Sequence, residues 1–136
     1  MNDLFFDTGA LRLYLIADSR LEQYKNQIAN RSSKAFTSMV NMVELYYKTM
    51  EKLGTQVADS WYCRVMNSDF TVIKDISESV GISSAKLKLK YKKTLSFVDA
   101  ISLGLTLKLK CRLLTTDGGL KETKEKCKII YFDIKD

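Results

Sequence analysis

The chain reads as an α/β protein, with a parallel or mostly parallel sheet covered by helices on both faces. Two observations predict this. Short apolar runs ending in Gly, Asp, Asn or Ser alternate with longer stretches whose apolar residues recur at three- and four-residue steps. No composition break or low-complexity linker divides the 136 residues, so one domain is expected over residues 1–136. A hydrophobic share of 46% is enough for a real core.

The first strand is expected over residues 3–7, where Leu4, Phe5 and Phe6 run into Asp7, Thr8 and Gly9. Such a run marks a strand buried on both faces, and the turn residues mark its carboxyl end. Leu11, Tyr14, Leu15 and Asp18 suit one helix, and Leu21, Tyr24 and Ile28 continue at helical spacing. After a polar break at residues 30–34, Ala35 to Ser38 reads as a short second strand. A helix follows over residues 39–53, with Val40, Val43, Tyr47 and Met50 as its apolar stripe, Lys48 and Lys52 in its last turns, and Gly54 as its stop. Val57, Trp61 and Val65 mark another helix, broken at Asn67, Ser68 and Asp69.

Phe70 to Ile76 is β-branched and aromatic and predicts a third strand; Ser77 and Glu78 then open a helix. Residues 84–93 are ambiguous. Leu87, Leu89 and Tyr91 alternate with lysines, as in an edge strand, yet Ala, Leu and Lys are strong helix formers. Leu103, Leu105, Leu107 and Leu109 pose the same question. Ser96-Phe97-Val98-Asp99 matches a capping box and opens a helix to about Lys110. Cys111 to Thr115 is a fourth strand, ending at Thr116-Asp117-Gly118-Gly119 much as the first one ends. Cys127 to Ile134 is the last strand.

Composition narrows the chemistry. Histidine is absent, which removes Ser-His-Asp and Cys-His catalysis and every His-ligated metal site. Cys63, Cys111 and Cys127 have no C-x-x-C spacing and read as buried free thiols, which fits a reducing cytoplasm. No run of about 18 apolar residues predicts a membrane span, and the start of the chain lacks the pattern of a signal peptide. A net charge of +6 suits a polyanionic partner.

The carboxylates carry the functional signal. Asp7 and Asp117 each follow a strand, so in a parallel sheet both point into the same edge, where ligands of open α/β sheets bind. Asp99 lies in the first turn of a helix, and Glu44 lies on a helix after a strand. Each also has a plain structural use: Asp7 or Thr8 as a helix cap, Asp99 closing its box onto the Ser96 amide, Glu44 at a solvated margin. If they converge, they repel one another, and a hard divalent cation relieves this. Such an ion activates water and stabilises charge on a phosphodiester.

Four segments in this order, F-F-D-T-G-A-L, M-V-E-L-Y-Y-K, L-S-F-V-D-A-I and L-L-T-T-D, resemble the PIN domain family, and most of all its VapC-type toxin ribonucleases. The resemblance spans nearly the whole chain at family-like spacings. It implies a three-layer α/β/α sandwich around four or five mostly parallel strands, and it turns both period-two stretches into helices. It also implies a metal-dependent endoribonuclease cutting single-stranded or looped RNA. Asp7, Asp99 and Asp117 would hold Mg²⁺ or Mn²⁺, Glu44 would complete the catalytic set and position the attacking water, and Thr8, Ser96 and Thr115 would support the carboxylates. The chain departs from the family at Gly9, where a hydroxyl or amide side chain often stands.

For RNA contacts the sequence offers Arg12 and the lysines at 86, 88, 90, 92 and 93, although on a helix those lysines spread around much of the surface. Stacking aromatics are possible at Tyr14, Tyr46 and Tyr47. The resemblance further implies a homodimer and a protein antitoxin, for which Tyr24, Tyr46 and Tyr47 are candidate contacts. Two other functions compete: a housekeeping RNA-processing nuclease of the same fold, and a basic RNA-binding module whose acids are only helix caps.

Overall fold

The computed structural model describes residues 2–134. One sheet carries five strands: β1 Leu4–Phe6, β2 Ala35–Ser38, β3 Thr71–Ile73, β4 Arg112–Thr115 and β5 Ile129–Tyr131. Every pairing is parallel, and the order is β3-β2-β1-β4-β5. The helices are α1 Thr8–Leu15, α2 Glu22–Ala29, α3 Met39–Leu53, α4 Thr55–Met66, α5 Glu78–Lys90, α6 Phe97–Leu109 and α7 Gly118–Lys121, with a 3₁₀ turn at Ser19–Leu21.

The central strand shows why the molecule has three layers. Successive side chains of a strand point to opposite faces. Leu4 and Phe6 join one core, with Leu11 of α1, Tyr24 of α2, Met42 of α3 and Val65 of α4. Phe5 joins the other, with Val80 and Leu87 of α5 and Leu103 of α6. All three β1 residues are fully buried, as a strand covered on both faces requires.

Both period-two stretches are helical. On α5 the buried residues are Val80, Ser84 and Leu87, at helical spacing, so the alternation of leucine and lysine is not what packs. A Cβ on Gly104 would stand 2.4 Å from Ser84 Oγ; this glycine lets α6 approach α5 closely. The helix α6 buries nearly its whole middle, from Ser102 to Thr106, which is why its apolar residues show no single stripe.

Several expectations are corrected. Asp18 is not on the first helix: Ala17 adopts a left-handed conformation (φ 59), and Asp18 instead caps the 3₁₀ turn through the Arg20 amide. The buried side of α3 is Asn41, Met42, Leu45 and Thr49; the stripe at Val43, Tyr47 and Met50 is the outer face, exposed by 62%, 56% and 40%. The strands β3 and β5 are shorter than their β-branched runs, since Phe70 packs into the core ahead of β3 and both strands lie at sheet edges. Of the three free thiols Cys111 is buried, Cys127 half-buried and Cys63 exposed, because Cys63 lies on the outer side of α4. Tyr24 is a core residue, edge-to-face against Phe132, and offers no surface to a partner. Tyr14 likewise packs edge-on against Phe6 and Phe70.

Candidate functional site

Strand order places the site. From β1 the chain builds outward through β2 and β3, then crosses back to β4 on the other side of β1. The reversal opens a crevice at the carboxyl ends of β1 and β4, the general ligand position of open parallel sheets. Asp7 follows β1 and Asp117 lies just past β4, and the Asp7 amide donates to the Leu114 carbonyl across the gap (3.1 Å). A groove of about 800 Å³ opens there, lined by Asp7, Glu44, Asp99 and Asp117. Glu44 arrives from α3 and Asp99 from the first turn of α6. The four expected acids thus come from four elements to one groove.

Two of the acids also cap helices. Asp7 Oδ1 accepts from the Ala10 amide at the start of α1 (2.9 Å), and Asp117 Oδ2 accepts from the Leu120 amide at the start of α7 (2.9 Å). Ser96 Oγ accepts from the Asp99 amide (3.1 Å), which caps α6. The Thr115 hydroxyl, fully buried, donates to Asp7 Oδ2 and accepts from the Asp117 amide (2.9 Å). Each carboxylate oxygen carries two lone pairs, so a cap bond leaves acceptor capacity facing the groove. Thr8 hydrogen-bonds to no carboxylate among the described residues; its hydroxyl accepts from Asn41 Nδ2 (3.2 Å).

The acids feel one another. Burial pushes the Asp7 carboxyl up to about 7; the Thr115 and Ala10 bonds oppose this, and the charges of Asp99 and Asp117 add to it. Asp99 is pushed up to about 6, first by burial and then by Asp117, with Glu44 adding and the Ser96 hydroxyl and amide opposing. Burial is the larger cause for both, and the added push from the neighbouring acids is the repulsion expected of converging carboxylates. The donor set is all oxygen, as a hard divalent cation requires. As the side chains stand, no three acids among the described residues enclose a metal position: Asp7 and Asp117 are turned onto their helix amides. The donor chemistry, four carboxylates lining one groove, is of the kind such an ion takes.

The groove also has a basic rim of Arg12, Arg20, Lys48 and Lys52. Arg20 is held by Asp18 (3.0 Å) and Lys48 stands 3.7 Å from Glu44; Arg12 and Lys52 have no ion-pair partner among the described residues. Lys86, Lys88 and Lys90 do not line the groove. Lys88 donates to the Leu95 carbonyl (2.7 Å) and Lys90 pairs with Glu125 (2.7 Å). Sequence reasoning took Lys48 and Lys52 only as helix-end charges and passed over Trp61 and Thr116, which also line the groove. The signal for the lysines was present: Lys48 lies one turn beyond Glu44, and Lys52 one turn beyond Lys48.

A doubly wound parallel sheet with carboxylates gathered at its switch point defines the class. The PIN domain profile matches residues 4–126, and the chain belongs to the PIN domain family. Among solved structures the fold is similar to VapBC2 from Rickettsia felis bound to a DNA fragment from its promoter, with TM-score 0.74, 14% identity, and 96% of this chain and 99% of that one covered. It is also similar to DNA-bound VapBC from Salmonella typhimurium, with TM-score 0.70, 14% identity and coverage of 96% and 98%. A third is Mycobacterium tuberculosis VapC20, described as a sarcin-ricin loop cleaving toxin, with TM-score 0.63, 18% identity and coverage of 80% and 85%. No curated protein sequence matches the chain closely enough to count as a relative.

Proposed function

We propose that this protein is a Mg²⁺- or Mn²⁺-dependent endoribonuclease that hydrolyses RNA phosphodiester bonds, and that it is the toxin of a VapBC-type toxin–antitoxin pair. The observation that carries the reading is the groove: four acids from four elements converge at the switch point, two of them with raised affinity for a proton. Asp7, Asp99 and Asp117 would hold the cation. When bound, the cation supplies charge stabilisation at the phosphate and a more acidic water. Glu44, which also lines the groove, orients the attacking water and takes its proton, while Lys48 steadies the Glu44 carboxylate. Thr115 fixes the rotamer of Asp7, and Ser96 caps α6 at the Asp99 amide. Arg12 and Lys52 draw the RNA phosphates onto the rim.

The toxin assignment draws support from neighbours that are VapBC complexes and from one described as a cleaving toxin. A homodimer and an antitoxin both need apolar surface. Two exposed rows offer it: Val43, Tyr47 and Met50 on α3, and Ile82, Leu89 and Phe97 across α5 and α6. No helix among the described residues is long and apolar enough to cross a membrane.

The test is cleavage of a labelled structured RNA with and without Mn²⁺ or Mg²⁺, by the native chain and by Asp7→Asn with Asp99→Asn. Cleavage that requires the cation and vanishes in the double variant supports the nuclease. Equal RNA binding by both proteins, with no cleavage by either in any cation, overturns it in favour of a binding module.

A further inference from the structure

We propose that Asn41 is a positioning residue that sets the mutual placement of the three elements bearing Asp7, Glu44 and Asp99. This rests on the nuclease reading above and extends it to a residue that touches none of the reacting groups.

Asn41 is 1% exposed, on the inner side of α3. Both donors of its amide are used: Nδ2 donates to Thr8 Oγ1 at the start of α1 (3.2 Å) and to Ser102 Oγ on α6 (2.9 Å). Its Oδ1 accepts from the Ser38 hydroxyl at the end of β2 (2.6 Å), and its own amide donates back to Ser38 Oγ (3.2 Å). The Ser102 hydroxyl donates to the Val98 carbonyl (3.0 Å) and also lies 3.4 Å from Asn41 Oδ1. Thr8 directly follows Asp7. Ser102 lies one turn beyond Asp99, and Glu44 lies one turn beyond Asn41. One buried amide therefore ties together the elements from which three of the four acids project.

An apolar side chain of similar size at position 41 would fill the same space but leave the buried hydroxyls of Thr8, Ser38 and Ser102 without this partner. A fully satisfied polar network adds direction: it permits one relative placement of these elements, where an apolar contact tolerates sliding. The acids repel one another and would spread if their elements were free to shift. Groups that hydrogen-bond a metal ligand directly typically matter about 10- to 100-fold in metal affinity or activity; Asn41 acts one step further out, on the elements that carry the ligands.

The experiment compares the native chain, Asn41→Leu and Ser102→Ala in three measurements: thermal unfolding, Mn²⁺ affinity of the protein alone by calorimetry, and kcat and KM on a labelled RNA. The expected result for Asn41→Leu is a folded protein with Mn²⁺ affinity and kcat both lowered about 10-fold or more and KM within about twofold of native. Ser102→Ala shifts both quantities in the same direction by a smaller factor. The proposal is overturned if folded Asn41→Leu keeps kcat and Mn²⁺ affinity within about twofold of an active native chain. If Asn41→Leu does not fold, Ser102→Ala decides by the same criterion. A native chain that neither binds Mn²⁺ nor cuts RNA overturns the nuclease reading itself, whereas an active native chain with an equally active Asn41→Leu overturns only the role of Asn41.

Discussion

A Cβ on Gly9 would stand 1.8 Å from Thr116 Oγ1, so the Thr116 side chain occupies the space that any side chain at position 9 would enter. The departure at Gly9 from the family's pattern therefore has a counterpart on the other side of the crevice. A hydroxyl still lines the groove at this point, delivered from beyond β4 instead of from α1. Rotation of the Thr116 side chain moves Oγ1 away but leaves its Cβ at 3.0 Å, still a tight contact. Gly9→Ser should thus destabilise by about 1–3 kcal/mol, the usual cost of overpacking, with a matching loss of cleavage. Adding Thr116→Ala should recover most of both. Urea unfolding and RNA cleavage of the two single variants and the double variant check this coupling; simple additivity would refute it.

Asp7 stores destabilisation in the folded protein. Its carboxyl rises from an ordinary 3.8 to about 7 on folding, first through burial. The native state therefore binds this proton more tightly than the unfolded state, and without a cation stability falls as pH rises from about 4 to about 7. The full effect is on the order of 4 kcal/mol, complete above pH 7. Asp7→Asn keeps an oxygen for the Ala10 amide and removes the charge. It should abolish cleavage yet raise the Tm at pH 8, with the difference shrinking toward pH 4. Calorimetric unfolding across this range measures it, and an Asp7→Asn Tm below native at pH 8 would contradict the account.

Cation binding should show the same two protons. Asp7 and Asp99, at about 7 and about 6, must lose their protons before both can serve as ligands. Protons compete with the cation, so Mn²⁺ affinity should rise steeply between about pH 5.5 and 7.5 and level off above. Asp99→Asn should flatten the rise and lower the plateau. Titration of Mn²⁺ in buffers of different ionisation enthalpy counts the protons released.

The sheet was legible in the sequence because buried parallel strands leave a plain mark: Leu4-Phe5-Phe6 and Leu113-Leu114 are apolar without alternation and end in turn residues. Three of the acids stood out because each sits at a boundary: Asp7 and Asp117 follow strands and Asp99 lies in the first turn of a helix, whereas Glu44 lies within α3 and was singled out by its place in the motif order. What stayed hidden depends on rotation about a helix axis. On α3 two stripes compete, Val43-Tyr47-Met50 and Met42-Leu45-Thr49, and the more apolar one faces outward. The inner stripe holds Asn41, which a search for apolar periodicity does not single out; its burial follows from its partners on α1 and α6. The lysines of α5 misled for the same reason, since alternation along the sequence says nothing of which side of a helix meets the groove.

That last point yields a contrast in RNA binding. Arg12 and Lys52 rim the groove without ion-pair partners among the described residues, while Lys86 on α5 does not line it. Each phosphate neutralised by a cation releases counterions, so binding weakens with salt in proportion to the number of such contacts. On an Asp7→Asn background, which blocks cleavage, Arg12→Ala and Lys52→Ala should each lower the slope of log affinity against log salt by about 0.7, the value for one contact on a single strand. Lys86→Ala should leave the slope unchanged, although it removes the same net charge. Filter binding of a labelled single-stranded RNA at four or five salt concentrations separates the outcomes. Equal slope changes in all three variants would mean that RNA senses only the overall +6 charge and follows no defined track along the groove.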